Sequence, residues 1–266
     1  MDGPFAATSA EPRVELLGGA MDLVTPADVL ARIAEAAAGG PRVLIANHNL
    51  HSLALIRRDP EMAAFYARAD LIEIDSRPAI AWGRLLGLPT RPEHRCTYLD
   101  WREAFWTLAD EGRWRVFYLG GAPGVAETAA KLLKARWPGV QIAVRDGFFD
   151  KTAGGAEDAE VLAAINAFAP HVLLVGMGMP LQETWILGRY DGLNAAAVLP
   201  VGAAFDYEAG VQRAAPRILG RLGLEWLYRL LSDPARLFHR YLLEPWSLLG
   251  PALVDLRRRR RRSRAL

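Results

Sequence analysis

Six short apolar runs, each followed by a stretch with helical spacing, constrain this chain more than any other feature. They are Val43–Ala46, Leu71–Ile74, Val116–Leu119, Ile142–Val144, Val172–Val175 and Ala196–Val201, all rich in Val, Ile and Leu. A strand wetted on one side alternates polar and apolar residues, whereas one buried on both faces need not. Between the runs lie helical patterns near 52–57, 60–68, 77–86, 100–111, 124–136, 157–168 and 180–189. Strands separated by helices predict a parallel sheet with helices on both faces. The reading is therefore an α/β, doubly wound domain over residues 13–212. Before the first run, residues 1–12 read as a disordered start and VELLGGAMDLV as a hairpin. Thr25-Pro26-Ala27-Asp28 then opens a helix to about Ala38, with Thr as cap and Pro at the first position.

Charge divides the chain as sharply as hydropathy does. Arg217 to Arg264 hold twelve arginines against Glu225, Asp233, Glu244 and Asp255, a net of +8 in a chain of net +2. The first 216 residues therefore carry −6. The basic stretch is also apolar. Arg221, Glu225 and Arg229 recur every four residues and make one polar stripe among leucines and Trp226. Asp233-Pro234 starts a second helix, with Arg236 and Arg240 on one face. The segment reads as an amphipathic helical appendage over 213–250 and an arginine-rich tail over 251–266. Arginine set among Trp, Leu, Phe and Tyr suits an anionic membrane surface or a phosphorylated amphiphile. The plainer alternative is a helical hairpin that closes the core, its arginines merely solvated.

The single Cys96 rules out a disulfide framework or a thiolate zinc site, and five histidines argue against a His-only metal centre. Nothing resembles a bilayer span: Leu242–Leu256 is interrupted by Pro245 and Pro251 and holds Glu244 and Asp255. No basic segment with an apolar core opens the chain. The expected location is the cytoplasm, with peripheral contact to the inner face of the cell membrane. The oligomeric state is left open, a homo-oligomer included.

In an open parallel sheet, ligands bind beyond the carboxyl ends of the strands. The residues there are Asn47-His48-Asn49, Asp75-Ser76-Arg77-Pro78, Gly120-Gly121-Ala122-Pro123-Gly124, Gly176 to Glu183, and Gly202 to Asp206. The turn LGGAPG leads into a helix whose first amides can hold a phosphate, although glycine also serves tight turns for backbone reasons alone. Asp75 is the candidate general base, closing an apolar strand at the mouth of the sheet. Its competing role is to cap the following helix. Glu73 and Asp75 share a strand face, so a metal pair, a salt bridge or a shared cleft are all open. Asn49 and Gln182 suit sugar hydroxyls or a base edge, or else cap helix ends. No P-loop, nucleophile elbow or HExxH occurs. Such a site positions and polarises, as group transfer from an activated donor requires.

Taken in order, these segments resemble the WecG/TagA/CpsF glycosyltransferases of bacterial cell-surface polysaccharide synthesis, from about Val14 to Leu248. The landmarks are Asn49 followed by LHSL, then ADLIEIDSRPAIAWGRLLGLP, VFYLGGAPG, VGMGMPLQETWI, PVGAAFDYEAG and GLEWLYRLLSDPARLFHRYL. The resemblance implies a Rossmann-like fold and inverting transfer of an N-acetylmannosamine-type or uronic acid residue. The donor is a UDP-sugar, the acceptor a saccharide on polyprenyl diphosphate, and no metal or other cofactor is implied. It makes Asp75 the catalytic base. Asn49, Arg95 and Gln182 fall in the substrate pocket, joined by Asn47 and by Gly120 and Gly121 of the glycine turn. Arg229, Arg236 and Arg240 fold over the site, and Arg257–Arg264 meet the membrane. The family's usual Thr-x-Asn is Asn47-His48-Asn49 here, its Asp-Gly is Asp75-Ser76, and its RAP is RAAPR.

Two other classes compete. A nucleic-acid-binding protein would use six consecutive arginines, but it also predicts base-reading residues beside them, where this chain has an amphipathic apolar segment. A nucleotide-dependent oxidoreductase or epimerase needs a glycine fingerprint that LGGAPG does not meet.

Overall fold

The computed structural model describes residues 12–212 and 225–262. β1 (Arg13–Leu16) and β2 (Gly19–Asp22) form an antiparallel hairpin. Its two turn residues, Leu17 and Gly18, both have positive φ (53° and 82°). That mirror-image turn matches the twist of the strands. α1 (Pro26–Ala37) follows, and its capping box is complete. Thr25 accepts from the Asp28 amide and Asp28 accepts from the Thr25 amide, with Pro26 in the first turn.

The main domain then runs β3 (Val43–His48), α2 (Leu50–Leu55), α3 (Pro60–Arg68), β4 (Leu71–Ile74), α4 (Arg77–Leu85), α5 (Tyr98–Glu111), β5 (Arg115–Gly120) and α6 (Val125–Arg136). It continues through β6 (Gln141–Arg145), α7 (Ala156–Phe168), β7 (Val172–Gly176), α8 (Leu181–Arg189), β8 (Ala197–Pro200) and α9 (Ala204–Glu208). Six strands lie in the order β4-β3-β8-β7-β5-β6, every neighbouring pair parallel. Each apolar run is one of these strands.

Alternate residues of each strand enter opposite cores. Ile45, Val116, Tyr118, Val172, Leu174 and Leu199 pack on one face of the sheet, and Leu44, Phe117, Leu119, Leu173, Val175 and Val198 on the other. Both faces are therefore dry, which is why the runs are continuous rather than alternating. The chain passes from β4 at one edge to β5 and β6 at the other, then returns through β7 to β8. The connection from β5 leads outward and that from β7 leads inward, so a crevice opens between their carboxyl ends.

The described part of the appendage and tail runs through α10 (Glu225–Ser232), α11 (Pro234–Phe238), a π-helical turn His239–Leu243, a 3-10 turn Glu244–Leu248 and α12 (Leu249–Arg262). Leu248 and Ala252 join Leu16, Leu53 and Ile80 in a third apolar cluster beneath the hairpin, α2 and α4. Pro251 sits in the first turn of α12, where its missing N–H costs nothing. The boundary expected at 250/251 thus falls inside one continuous helix. Arg264, the RAAPR segment and the side chains of Arg229 and Arg236 lie outside the described residues. Among the described residues no helix is long and apolar enough to cross a membrane.

Candidate active site

The carboxyl ends of β3 and β4 lie side by side. Asn47 pairs in register with Glu73 and His48 with Ile74. The Asp75 amide donates to the His48 carbonyl at 2.8 Å. Asn49 and Asp75 therefore emerge next to each other at the mouth of the sheet. On the far side of β4, Arg95 bridges in parallel to Ile74, and the Cys96 amide donates to the Ile74 carbonyl at 3.0 Å. The backbone thus sets Asn49, Asp75 and Arg95 in one row. The Arg95 guanidinium lies 3.5 Å from the Asp100 carboxylate.

Asp75 does not cap α4. Ser76 does, its hydroxyl accepting from the Ala79 amide at 3.2 Å. The capping role thus falls to Ser76, and the half-buried Asp75 stands at the strand end. The carboxyl that burial pushes up is Glu73, two residues earlier. Burial first, and then the neighbouring charge of Asp75, raise its pKa to about 8. Its Oε1 and the indole N–H of Trp101 are both buried without a hydrogen-bond partner among the described residues. No group of three His, Cys, Asp or Glu side chains among these residues is placed to hold a metal ion.

Several neighbours prove to be part of the wall. Asn47 donates its side-chain amide to the Pro200 carbonyl at 3.0 Å, tying β3 to β8. Asn49 caps α2, its Oδ1 accepting from the amides of His51 (3.0 Å) and Ser52 (3.1 Å). Between them His48 is buried, stacked on Tyr66 at 3.8 Å and paired with the Ser52 hydroxyl at 2.9 Å. Burial lowers its pKa to about 3, so its ring is neutral across the physiological range. The Tyr66 hydroxyl donates to the Asn47 carbonyl at 2.7 Å.

At the crevice, the turn after β5 needs its glycines. A Cβ on Gly120 would fall 2.2 Å from the Gly176 carbonyl oxygen, and its φ is 154°. Gly121, at φ 72°, donates to that same carbonyl at 3.1 Å and accepts from the Gly147 amide at 3.0 Å. Gly124 precedes α6 without any side-chain cap, so the first amides of that helix point toward the crevice mouth unclaimed by a side chain. On the loop after β6, beside Gly147, Phe148 is 72% exposed.

Gln182 is buried rather than displayed. Its Oε1 accepts from the amides of Gly178 (3.1 Å) and Gly202 (3.2 Å), and its Nε2 donates to Glu183 at 2.8 Å. One side chain thus clamps the loops after β7 and β8 together. Burial raises the pKa of Glu183 to about 7, against the hydrogen bond with Gln182 and the charge of Arg240 in the appendage.

Two acids hold the appendage down. Glu244 is buried between His51 and Arg58, the latter at 2.5 Å. Burial alone would raise its pKa, but the hydrogen bonds and charges of His51 and Arg58 outweigh burial and hold it below the ordinary range. Asp255 accepts from the Leu17 amide at 2.8 Å and from the Trp82 indole at 3.1 Å. The helices so joined, α2 and α4, are those that follow Asn49 and Asp75.

The chain matches the model of the Glycosyl transferase WecG/TagA/CpsF family over residues 14–262 and belongs to that family. It is thus a glycosyltransferase on a Rossmann-like sheet. Among the curated proteins it resembles the N-acetylglucosaminyldiphosphoundecaprenol N-acetyl-beta-D-mannosaminyltransferases of Staphylococcus aureus strains MW2 and NCTC 8325. Each is 26% identical over 235 residues, covering 85% of this chain and 87% of the relative.

The sequence reading put Asn49, Asp75 and Arg95 together, and the fold does bring them into one row. It gave no role to Glu183, Phe148 or the anchoring acids Glu244 and Asp255, and did not foresee the raised pKa of the buried Glu73. A signal existed for the last two: they are acids inside an otherwise basic, apolar segment.

Proposed function

We propose that this protein is an inverting glycosyltransferase that moves a sugar from a UDP-sugar to a saccharide on polyprenyl diphosphate, in cell-surface polysaccharide synthesis. The row Asn49–Asp75–Arg95, at the same end of the sheet as the glycine turn after β5, carries the reading. It offers one carboxylate that can act as a base at the carboxyl end of the sheet, the end at which the crevice between β5 and β7 also opens. The names of the Staphylococcus aureus relatives favour an N-acetylmannosamine-type sugar and a diphosphoundecaprenol-linked N-acetylglucosamine acceptor; a uronic acid is the next candidate.

In this mechanism the Asp75 carboxylate takes the proton of the acceptor hydroxyl. The hydroxyl oxygen forms a bond to the anomeric carbon from the face opposite the nucleotide. The bond from that carbon to the diphosphate breaks, and its electron pair leaves with UDP. The glycine turn and the α6 amides receive the diphosphate, and Phe148 offers an exposed ring for the base to stack on. Arg240, with Arg229 and Arg236, supplies positive charge to a diphosphate. The appendage rests on the inner face of the cell membrane, where the lipid-linked acceptor is presented.

The test is a panel of UDP-sugars with a short-chain polyprenyl-diphosphate acceptor, run on the full chain and on Asp75→Asn. One UDP-sugar should turn over, and the substitution should lower turnover about 10³-fold while circular dichroism and UDP binding stay unchanged. Near-normal turnover by the variant removes Asp75 from the base role. No turnover with any UDP-sugar overturns the donor class.

A further inference from the structure

The loop between β6 and α7 lies across the carboxyl ends of β5 and β7. The Gly147 amide donates to the Gly121 carbonyl at 3.0 Å. A Cβ on Gly147 would fall 3.2 Å from Cγ of Met177, the residue after β7, and 3.4 Å from the Gly120 Cα. The next residue, Phe148, is 72% exposed. A single exposed aromatic needs no explanation by itself. What sets this one apart is how firmly the backbone around it is held.

The Phe148 amide donates to the Asp146 carboxylate at 2.9 Å. The Lys151 ammonium donates to the carbonyls of the residues on either side, Gly147 at 2.6 Å and Phe149 at 2.9 Å. It also stands 4.3 Å from the centre of the buried Phe149 ring. Farther along, the Asp150 amide donates to Glu157 of α7 at 2.7 Å, and Arg189 of α8 donates to the Lys151 carbonyl at 3.2 Å. Arg189 is itself paired with Asp158 at 2.8 Å. The loop is thus fastened to two helices and braced from within by one lysine. Fixing a loop costs conformational entropy. When the protein has already met that cost, a ligand that stacks on the ring binds more tightly for it.

We propose that Lys151 is a positioning residue for the donor: by bracing the backbone on both sides of Phe148, it holds that ring at the crevice as a platform for the flat base of a nucleoside diphosphate. The inference rests on the reading of the crevice as the donor site and divides that site in two. The glycine turn and the first amides of α6 take the diphosphate whatever it is attached to, and the braced ring favours ligands that carry a base. Every base has a face to stack, so the platform selects a nucleotide over a bare diphosphate rather than one base over another. Lys151 touches neither the base nor the phosphates.

The test titrates UDP and inorganic pyrophosphate by calorimetry into the full chain as wild type, Phe148→Ala, Lys151→Met and the double variant. Methionine keeps an unbranched side chain and removes the three donors. Pyrophosphate has no base, so it reads the diphosphate half alone and shows that each variant still has a folded site. Phe148→Ala should weaken UDP about tenfold and Lys151→Met about fivefold, while pyrophosphate stays within about twofold in both. The double variant should bind UDP no more weakly than Phe148→Ala, because the lysine acts only through the ring. Amide exchange over 146–152 should quicken in Lys151→Met.

An equal loss of UDP and pyrophosphate in Lys151→Met would make the lysine a phosphate ligand and overturn the proposal. UDP affinity unchanged in either single variant overturns it too, as do losses that multiply in the double variant or exchange that does not quicken. If wild type binds neither ligand, the donor reading fails and takes the platform with it. If wild type binds UDP and the variants match it, the platform alone fails.

Discussion

The main domain and the appendage both bury carboxylates: the domain partners Asp22 and Asp158 fully but leaves two others short of a hydrogen bond, whereas the appendage partners both Glu244 and Asp255. In the domain, Glu73 and Glu183 each keep one oxygen without a hydrogen bond among the described residues, and their pKa values rise to about 8 and about 7. In the appendage, Glu244 meets His51 and Arg58, and Asp255 meets the Leu17 amide and the Trp82 indole. A satisfied buried acid is a joint. An unsatisfied one is maintained against its own cost, which is common where a site is built. The appendage sorts these charges accordingly: Glu244 and Asp255 face inward as fasteners, and the arginines Arg257–Arg261 of α12 face solvent.

The sharpest way to break this contrast is to cut the joint. Glu244→Ala leaves His51 and Arg58 without their acid and should cost about 2 kcal/mol in urea unfolding; a loss below measurement would mean that Glu244 is no fastener. The pH dependence has a fixed sign. Because the folded pKa of Glu244 is depressed, its contribution is complete above the ordinary glutamate value near 4.5. It is lost as pH falls through the folded value. Wild type should therefore lose stability below about pH 4.5, and Glu244→Ala should be flatter there.

Glu73→Gln should act in the opposite direction and by somewhat less. A raised folded pKa means that the unfolded chain binds fewer protons between 4.5 and about 8, so wild-type stability falls as pH rises through that window. Glutamine removes the titration. It should gain about 1–2 kcal/mol at pH 8 and nothing near pH 4. A variant that is less stable than wild type at pH 8 would show that Glu73 is a fastener after all. Smaller again is Asp255→Asn, which keeps an acceptor for Leu17 and Trp82 but loses the charge assistance. About 1 kcal/mol is expected, read as a lower melting temperature, and no change would leave the hairpin joint to its apolar contacts alone.

How much of this was legible in the sequence follows from the same contrast. The strands could be read because burial on both faces leaves a continuous run such as Val172–Val175, and the first helix start because Thr25-Pro26 carries its cap in the chain; at α4 the cap considered was Asp75, whereas Ser76 supplies it. The placing of Asp75 beside Asn49 followed from the rule that sites gather at carboxyl ends of parallel strands. The roles of Gln182 and Glu183 did not follow. Gln182 spends both ends of its amide on Gly178, Gly202 and Glu183, partners that only the folded sheet brings near. Nor does the sequence tell a buried Glu244 from an exposed one, because the difference lies in His51 and Arg58, nearly two hundred residues away.

The smallest effect on stability tests the outward side of the appendage. Leu231 is 74% exposed, Trp246 68%, and Leu249 and Leu253 55% each. The last two lie one helical turn apart on α12 and lead toward Arg257 and Arg260. An exposed side chain adds little to folding, so Trp246→Ser should change stability by less than about 0.5 kcal/mol. The same indole has a polar tip and a large apolar body, which suits the boundary between lipid headgroups and acyl chains. Partition onto vesicles of anionic lipid should therefore fall about fivefold, with little change on neutral vesicles, where arginine adds nothing. The two measurements cut apart what the fold joins. If stability falls with binding unchanged, Trp246 belongs to the joint with Glu244. If binding falls with stability unchanged, the appendage has one face for the enzyme and another for the membrane.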